Sequence, residues 1–199
     1  ELQYTMEDNP ELSVADRDFV ITYSGYIKKW ATTMYVETME QQWDDLYWRT
    51  MLFEAPYLFE SYLIYMEKDR NPEKRFYLPR RKSLKVVVDD LQDLEDGKLD
   101  FYGLSMPSRV GKSTVCIFYL SWIAGKRPNS HSAMGGHSGK LAKGFYGELL
   151  NLINTREYKF SEIFPDSPLQ KTSAEDFEIN LDEPDRFATI TCRGIDGTW

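Results

Sequence analysis

From Asp16 to about Arg70 the chain has few turn-formers and a steady return of large apolar residues. Trp30, Met34, Met39, Trp43, Tyr47, Met51, Leu58, Tyr62 and Tyr65 recur at spacings of three to five. That interval follows the helical turn and predicts a helical hairpin whose apolar side packs on another part of the molecule. The first dozen residues read as a loose tail. Asp69-Arg-Asn-Pro72 breaks the pattern, because proline lacks an N–H and its ring obstructs the preceding turn.

A second helical pattern starts at Ser83, with Leu84, Val87, Val88, Leu91 and Leu94 on one side and Asp96-Gly97-Lys98 closing it. It settles the reading of Val86-Val-Val-Asp-Asp90, which looks like the apolar run and paired acids that hold magnesium in many NTPases. On a helix, Asp89 and Asp90 fall on the solvated side. They also precede the phosphate-type loop described below, where the usual order has them after it. Phe101 to Met106 then predicts a short buried strand, and Ser113 to Ala124 an apolar helix ended by Gly125, with Lys126, Arg127 and Pro128 beyond.

Ser130 to Met134 predicts another strand, Gly135-Gly-His-Ser-Gly139 a flexible turn, and Lys140 to Ile153 an amphipathic helix. Phe177 to Leu181 and Phe187 to Cys192 alternate apolar and polar residues around Asp182-Glu-Pro-Asp185, a hairpin signal. Strand, loop, helix, strand, helix is the opening of a parallel α/β sheet.

Composition supports a globular chain: 199 residues, 42% hydrophobic and 15% aromatic, suffice for one domain with a sizeable core. The net charge of -8 is unevenly spread, and that changes the picture. Residues 1–70 and 146–199 are acidic, whereas residues 71–145 carry 13 Lys/Arg against 7 Asp/Glu. The basic portion surrounds the loop, which suits a polyanionic ligand there without indicating a nucleic-acid-coated surface. No apolar run reaches the roughly 18 residues of a membrane span. The acidic, polar start from Glu1 lacks a secretory pattern and implies trimming or processing. Cys116 and Cys192 are too few for a disulfide framework and lack metal-ligand spacing; Cys116 reads as a small core residue, and a cytosolic location is the default.

The candidate chemistry sits in Ser105-Met-Pro-Ser-Arg-Val-Gly-Lys-Ser-Thr114. Binding a triphosphate needs backbone N–H groups converging at the positive end of a helix, a lysine for the β- and γ-phosphates, and a hydroxyl for magnesium. Gly111, Lys112 and Ser113 supply turn, cation and hydroxyl in that order. Ser108, Arg109 and Val110 complete the loop, and Thr114 adds a hydroxyl for phosphate or for the helix start. Met106 stands where the full pattern has its first glycine. Arg109 reads either as a contact to the γ-phosphate, in cis or as an arginine finger, or as a residue that orders the loop. Phe76, Tyr77 and Arg80 read equally as a border to adenine or as a buried aromatic segment with solvated arginines. Lys140 and Lys143 fit a solvated helix face better than a DNA contact, and His131 and His137 fit turn or core positions better than metal ligation.

Met106-Pro-Ser-Arg-Val-Gly-Lys-Ser113 resembles the deviant phosphate loop of large terminase subunits, the ATPases of the DNA-packaging motors of tailed bacteriophages. Arg75-Phe-Tyr-Leu-Pro-Arg80 resembles the adenine-side segment of that family. Ser132-Ala-Met-Gly-Gly-His-Ser138 is similar to its second strand and DNA-coupling region. Thr191-Cys-Arg-Gly-Ile-Asp-Gly-Thr-Trp199 resembles the run that leads into the acidic magnesium strand. The resemblance implies a P-loop NTPase core of the RecA-like (ASCE) type, a parallel sheet flanked by helices. Residues 1–70 would form a lid-like N-terminal helical subdomain and residues 71–199 the first part of the ATPase core.

It further implies ATP and Mg2+ as cofactors, with Lys112 and Arg109 in catalysis, Ser113 on the metal, and residues 108–114 with Phe76, Tyr77 and Arg80 around the nucleotide. The implied partners are double-stranded DNA, a portal protein and a small terminase subunit, in a homo-oligomeric ring within the host cytoplasm and away from membranes. The metal-binding aspartate and catalytic glutamate would stand beyond Trp199, so that this chain, part of a longer protein, binds ATP without useful turnover. The competing expectations are a P-loop small-molecule kinase, whose substrate lid and acceptor site are not found, and a non-catalytic nucleotide-binding module.

Overall fold

The computed structural model describes residues 14–182 and 186–195. The tail formed by the first dozen residues, the tip of the Asp182–Asp185 turn and the last four residues of the Thr191–Trp199 run lie outside them.

The helical start is three helices: α1 (Val14–Thr38), α2 (Gln41–Glu54) and α3 (Phe59–Met66). The chain reverses between α1 and α2 at Met39, whose φ is 58°. The predicted hairpin is thus α1 against α2, but the apolar series does not share one buried side. Met51, Tyr62 and Tyr65 are buried, while Trp30 and Met39 are exposed. Glu54, at the end of α2, is buried and fully engaged. It accepts from Ser24 and Lys28 of α1 and from Ser61 Oγ of α3 at 2.7 Å. Burying a carboxylate is costly without such donors, and here they tie α1 to the rest.

After two short 3-10 turns (Pro72–Lys74 and Leu78–Arg80) comes α4 (Arg81–Glu95), with Leu84, Val87, Val88 and Leu91 buried. Asp89 pairs with Lys85 in the next turn of the exposed side. Asp90 accepts from the hydroxyl of Tyr102, whose phenol is pushed up to about 12 by burial first and by that carboxylate second. The acid pair is therefore helical, as its spacing predicts. Gly97, at φ 70°, turns the chain out of the helix, and Lys98 N–H reaches back to the Asp93 carbonyl at 2.9 Å.

Phe101–Met106 is not a strand of the sheet. It runs extended, with Tyr102, Leu104 and Met106 leaning on the core and Phe101 85% exposed. Half-buried and exposed side chains alternate along it, but no described strand pairs with it, and pairing is what makes a strand. α5 (Lys112–Lys126) follows the loop and is the central helix of the core: Val115, Ile117, Phe118, Ser121, Trp122 and Ala124 are buried. Gly125 does not end it. A Cβ there would lie 2.2 Å from Phe164 Cδ2, so the glycine is where that ring sits against the helix. Cys116, expected in the core, lies on the exposed side of α5.

β1 (Ser132–Gly136), α6 (Gly139–Asn154), α7 (Phe160–Ile163), β2 (Leu169–Ser173), β3 (Glu178–Leu181) and β4 (Ile190–Gly194) complete the chain. Gly135 and Gly136 end β1 and do not form a free turn. The sheet order is β1-β4-β3-β2, with β1 and β4 parallel and β2, β3 and β4 antiparallel. The expected hairpin is the β3–β4 pair, but the sheet is mixed and not parallel, because β4 pairs parallel with β1 and antiparallel with β3; a further, unanticipated strand, β2, adds antiparallel to β3. The fold is α/β: a four-stranded mixed sheet flanked by helices. Gly194 lets β4 meet α6, since a Cβ there would lie 2.5 Å from Gly139 N.

One cluster of buried side chains runs from Met51 through α3, α4, α5 and α6 to Cys192, across the expected division at residue 70. Two bonds join α5 to the helices before it: Tyr62 Oη of α3 with Ser121 Oγ at 2.7 Å, and Trp122 Nε1 to the carbonyl of Ala55, just past α2, at 2.9 Å. No helix among the described residues is long and apolar enough to cross a membrane.

Candidate functional site

The site begins with backbone. Arg109 has φ 65° and Gly111 φ 102°, so the chain passes twice through the left-handed region between Pro107 and α5. Glycine holds that conformation without a Cβ penalty, and arginine does so at a cost of order 1 kcal/mol. The turn delivers Gly111 to the N-cap of α5, where no side chain caps the helix and no acidic residue occupies the first turn. The first N–H groups of a helix have no intrahelical acceptor, and the helix dipole leaves that end positive. Here they face open space.

That space is a cavity of about 460 Å3. Ser108, Arg109, Gly111, Lys112, Ser113 and Thr114 form one wall, and Phe76 and Arg80 the other. Three cationic side chains thus converge, with no carboxylate among the lining residues. Lys112 Nζ donates to the carbonyls of Met106 and, at 3.0 Å, Pro107. The ammonium spans the loop it would share with a phosphate, and these carbonyls hold it in place without neutralising it. Val110 does not line the cavity.

The opposite wall is built from stacked layers. Phe76 stacks on Phe118 of α5 with ring centroids 5.6 Å apart and planes 10° from parallel. The Arg80 guanidinium lies 5.4 Å from the Phe76 centroid, and its Nη1 donates to the Phe76 carbonyl at 3.0 Å. With one face on Phe118 and Arg80 over the ring, Phe76 presents its edge and Arg80 to the cavity. Tyr77 is not brought there. It is fully buried, and its hydroxyl donates to Glu60 Oε1 at 2.7 Å. Burial first, then the Glu60 carboxylate, push its phenol well above the ordinary range.

The loop residues and Phe76 and Arg80, 30 positions apart in the chain, are therefore neighbours. Two contributors carried no sequence signal: Phe118, one apolar residue of an apolar helix, and Glu67, one acid in an acid-rich segment. Glu67 is 1% exposed and accepts from both Phe76 N–H (2.8 Å) and Tyr77 N–H (3.0 Å).

Away from the cavity, His131 Nδ1 is 3.2 Å from the Ala188 carbonyl, and Lys140 and Lys143 are exposed on α6. Among the described residues, no group of three His, Cys, Asp or Glu is arranged to hold a metal ion. Comparison with protein-family models, curated proteins and solved structures gave no match to this chain.

Proposed function

We propose that the chain binds the polyphosphate of a nucleoside triphosphate at the N-terminus of α5. The observation that carries this reading is an uncapped helix start, wrapped by a left-handed Gly111 turn and ringed by Arg80, Arg109 and Lys112 without a carboxylate. Anions bind such ends because backbone N–H groups and the helix dipole act together. Lys112 exchanges its hold on the loop carbonyls for the β- and γ-phosphates, and Arg109 reaches the terminal phosphate from the turn. Thr114, in the first turn, adds a hydroxyl on the same side.

Magnesium fits this wall in part. Ser113 is the hydroxyl that would ligate the metal, and no lining carboxylate supports it. Ser113 would hold one coordination position of an ion that offsets the charge of the phosphates. Nothing among the lining residues is placed to orient an attacking water, so the reading for this chain is binding without useful turnover.

The finer reading is the ATPase part of a DNA-packaging motor of the terminase type, acting on double-stranded DNA with a portal, a small subunit and further copies in a ring in the host cytoplasm. It rests on the resemblance of the four segments 75–80, 106–113, 132–138 and 191–199, supported by the meeting of the first two at one cavity.

Calorimetric titration with MgATP tests the binding reading: saturable one-to-one binding is expected, and no binding at millimolar ligand overturns it. Salt-dependent retention of double-stranded DNA by the MgATP complex tests the motor reading; its absence would remove that reading and leave the nucleotide site.

A further inference from the structure

α3 has a carboxylate in its first turn and another just past its last, and both reach Tyr77, the neighbour of Phe76 in the cavity's second wall. Glu67, just past the last turn, is buried. Both its oxygens accept from Phe76 N–H at 2.8 Å, and Oε2 also accepts from Tyr77 N–H at 3.0 Å. Arg70 Nη1 donates to Oε1 at 2.8 Å and balances the charge. Glu60, in the first turn, accepts from Tyr77 Oη at 2.7 Å and from Arg81 Nε at 2.8 Å. The segment is thus tethered twice, by its backbone to one end of α3 and by a side chain to the other.

α3 is itself immobilised in the core, where Phe59, Tyr62, Leu63 and Met66 are fully buried. A buried ion pair is a weak source of stability compared with apolar packing, yet it fixes geometry, because its hydrogen bonds are satisfied in one arrangement. What this one fixes is the position of Phe76. Its ring lies against Gly111, so close that a Cβ there would be 2.6 Å from Phe76 Cε2, and Arg80 rests on the same ring. Neither Glu67 nor Tyr77 touches the cavity; Phe76 and Arg80 do.

We propose that Glu67, with the Tyr77–Glu60 tether as its counterpart, is a positioning residue that holds the Phe76–Arg80 wall against the phosphate loop, so that the site favours a complete nucleotide over bare polyphosphate. The inference rests on the nucleotide reading above and adds a division of labour. The phosphate wall is carried by the α5 turn itself. The wall beyond it is carried by α3 through two carboxylates, and loosening it leaves the helix N-terminus intact.

The experiment measures, on the same chain, affinity for MgATP and for magnesium tripolyphosphate, in wild type, Glu67→Gln and Tyr77→Phe. Glu67→Gln keeps the shape and one acceptor but loses the charge that gathers three donors. Tyr77→Phe cuts the second tether without burying a new polar group. The expected result is an ATP affinity about five- to tenfold weaker in each variant, tripolyphosphate affinity within about twofold of wild type, and a fall in the ratio of the two. General loss of structure would move both ligands together, so the ratio separates positioning from destabilisation. Should Glu67→Gln not fold, Tyr77→Phe carries the decision alone. An unchanged ratio in a folded variant overturns the proposal. If the wild type binds neither ligand, the nucleotide reading itself fails, an outcome distinct from the first.

Discussion

The ring of Phe76 occupies the space that a side chain at Gly111 would need, with Cε2 2.6 Å from the position of a Cβ there. Thirty-five positions apart, these two residues join the two walls of the cavity. Gly111 also has φ 102°, so alanine there meets both a strained backbone and a displaced ring. Gly111→Ala is expected to cost about 1–3 kcal/mol of stability and to weaken MgATP binding at least tenfold. Urea denaturation and titration of the same preparation check both, and wild-type values for either would mean that the loop adopts another conformation.

Lys112→Ala removes the side chain expected to meet the β- and γ-phosphates while leaving the backbone turn. Among the described residues that side chain bonds to the carbonyls of Met106 and Pro107, so folding is expected to change by less than about 1 kcal/mol. MgATP affinity is expected to fall about 10- to 100-fold, the range for losing a charge-assisted phosphate contact. Denaturation curves that barely move beside a large affinity change would show the residue to be functional; the reverse pattern would make it a structural clip.

Trp122 is fully buried between α3 and the body of α5, with its indole N–H on the Ala55 carbonyl at 2.9 Å. Trp122→Ala leaves both a void and an unpaired carbonyl and is expected to cost about 3–5 kcal/mol. Trp122→Phe, which fills most of the volume, should recover more than half of that loss in thermal melts.

Glu60 supplies a pH signature. Burial raises its carboxyl, but the Arg81 and Tyr77 hydrogen bonds and the Lys85 charge outweigh this, and its pKa lies below the ordinary 4.5. A depressed acid stabilises the folded state above the unfolded pKa, and that contribution is lost as pH falls through the folded one. The stability difference between wild type and Glu60→Gln is therefore expected to be constant above about pH 6 and to shrink below 4.5. A difference that grows on acidification would reverse the assigned sign.

How far the sequence discloses this molecule depends on the interaction involved. α4 is legible because Leu84, Val87, Val88 and Leu91 mark its buried side without reference to any neighbour, and the same pattern removes Asp89 and Asp90 from consideration as metal ligands. The Gly111-Lys112-Ser113 turn is legible because it requires particular residue types in sequence. Phe101–Met106 reads as a buried strand because it is a short, largely apolar run, and such a run does not report whether a neighbouring strand is there to pair. β2 was missed because Leu169-Gln-Lys-Thr-Ser173 has a single apolar residue and is held by its ladder with β3. Gly125 ended a helix on paper because glycine commonly does, whereas here the Phe164 ring decides. Glu67 could not be found at all, since its meaning lies in which two amides, nine and ten residues on, arrive at its oxygens.

The position of the phosphates tests the central claim most directly. Amide resonances of isotopically labelled protein, followed while MgATP is added, should shift most at Gly111, Lys112, Ser113 and Thr114, with smaller changes at Phe76 and Arg80. Saturating shifts centred elsewhere, or none at these four amides, would contradict the account.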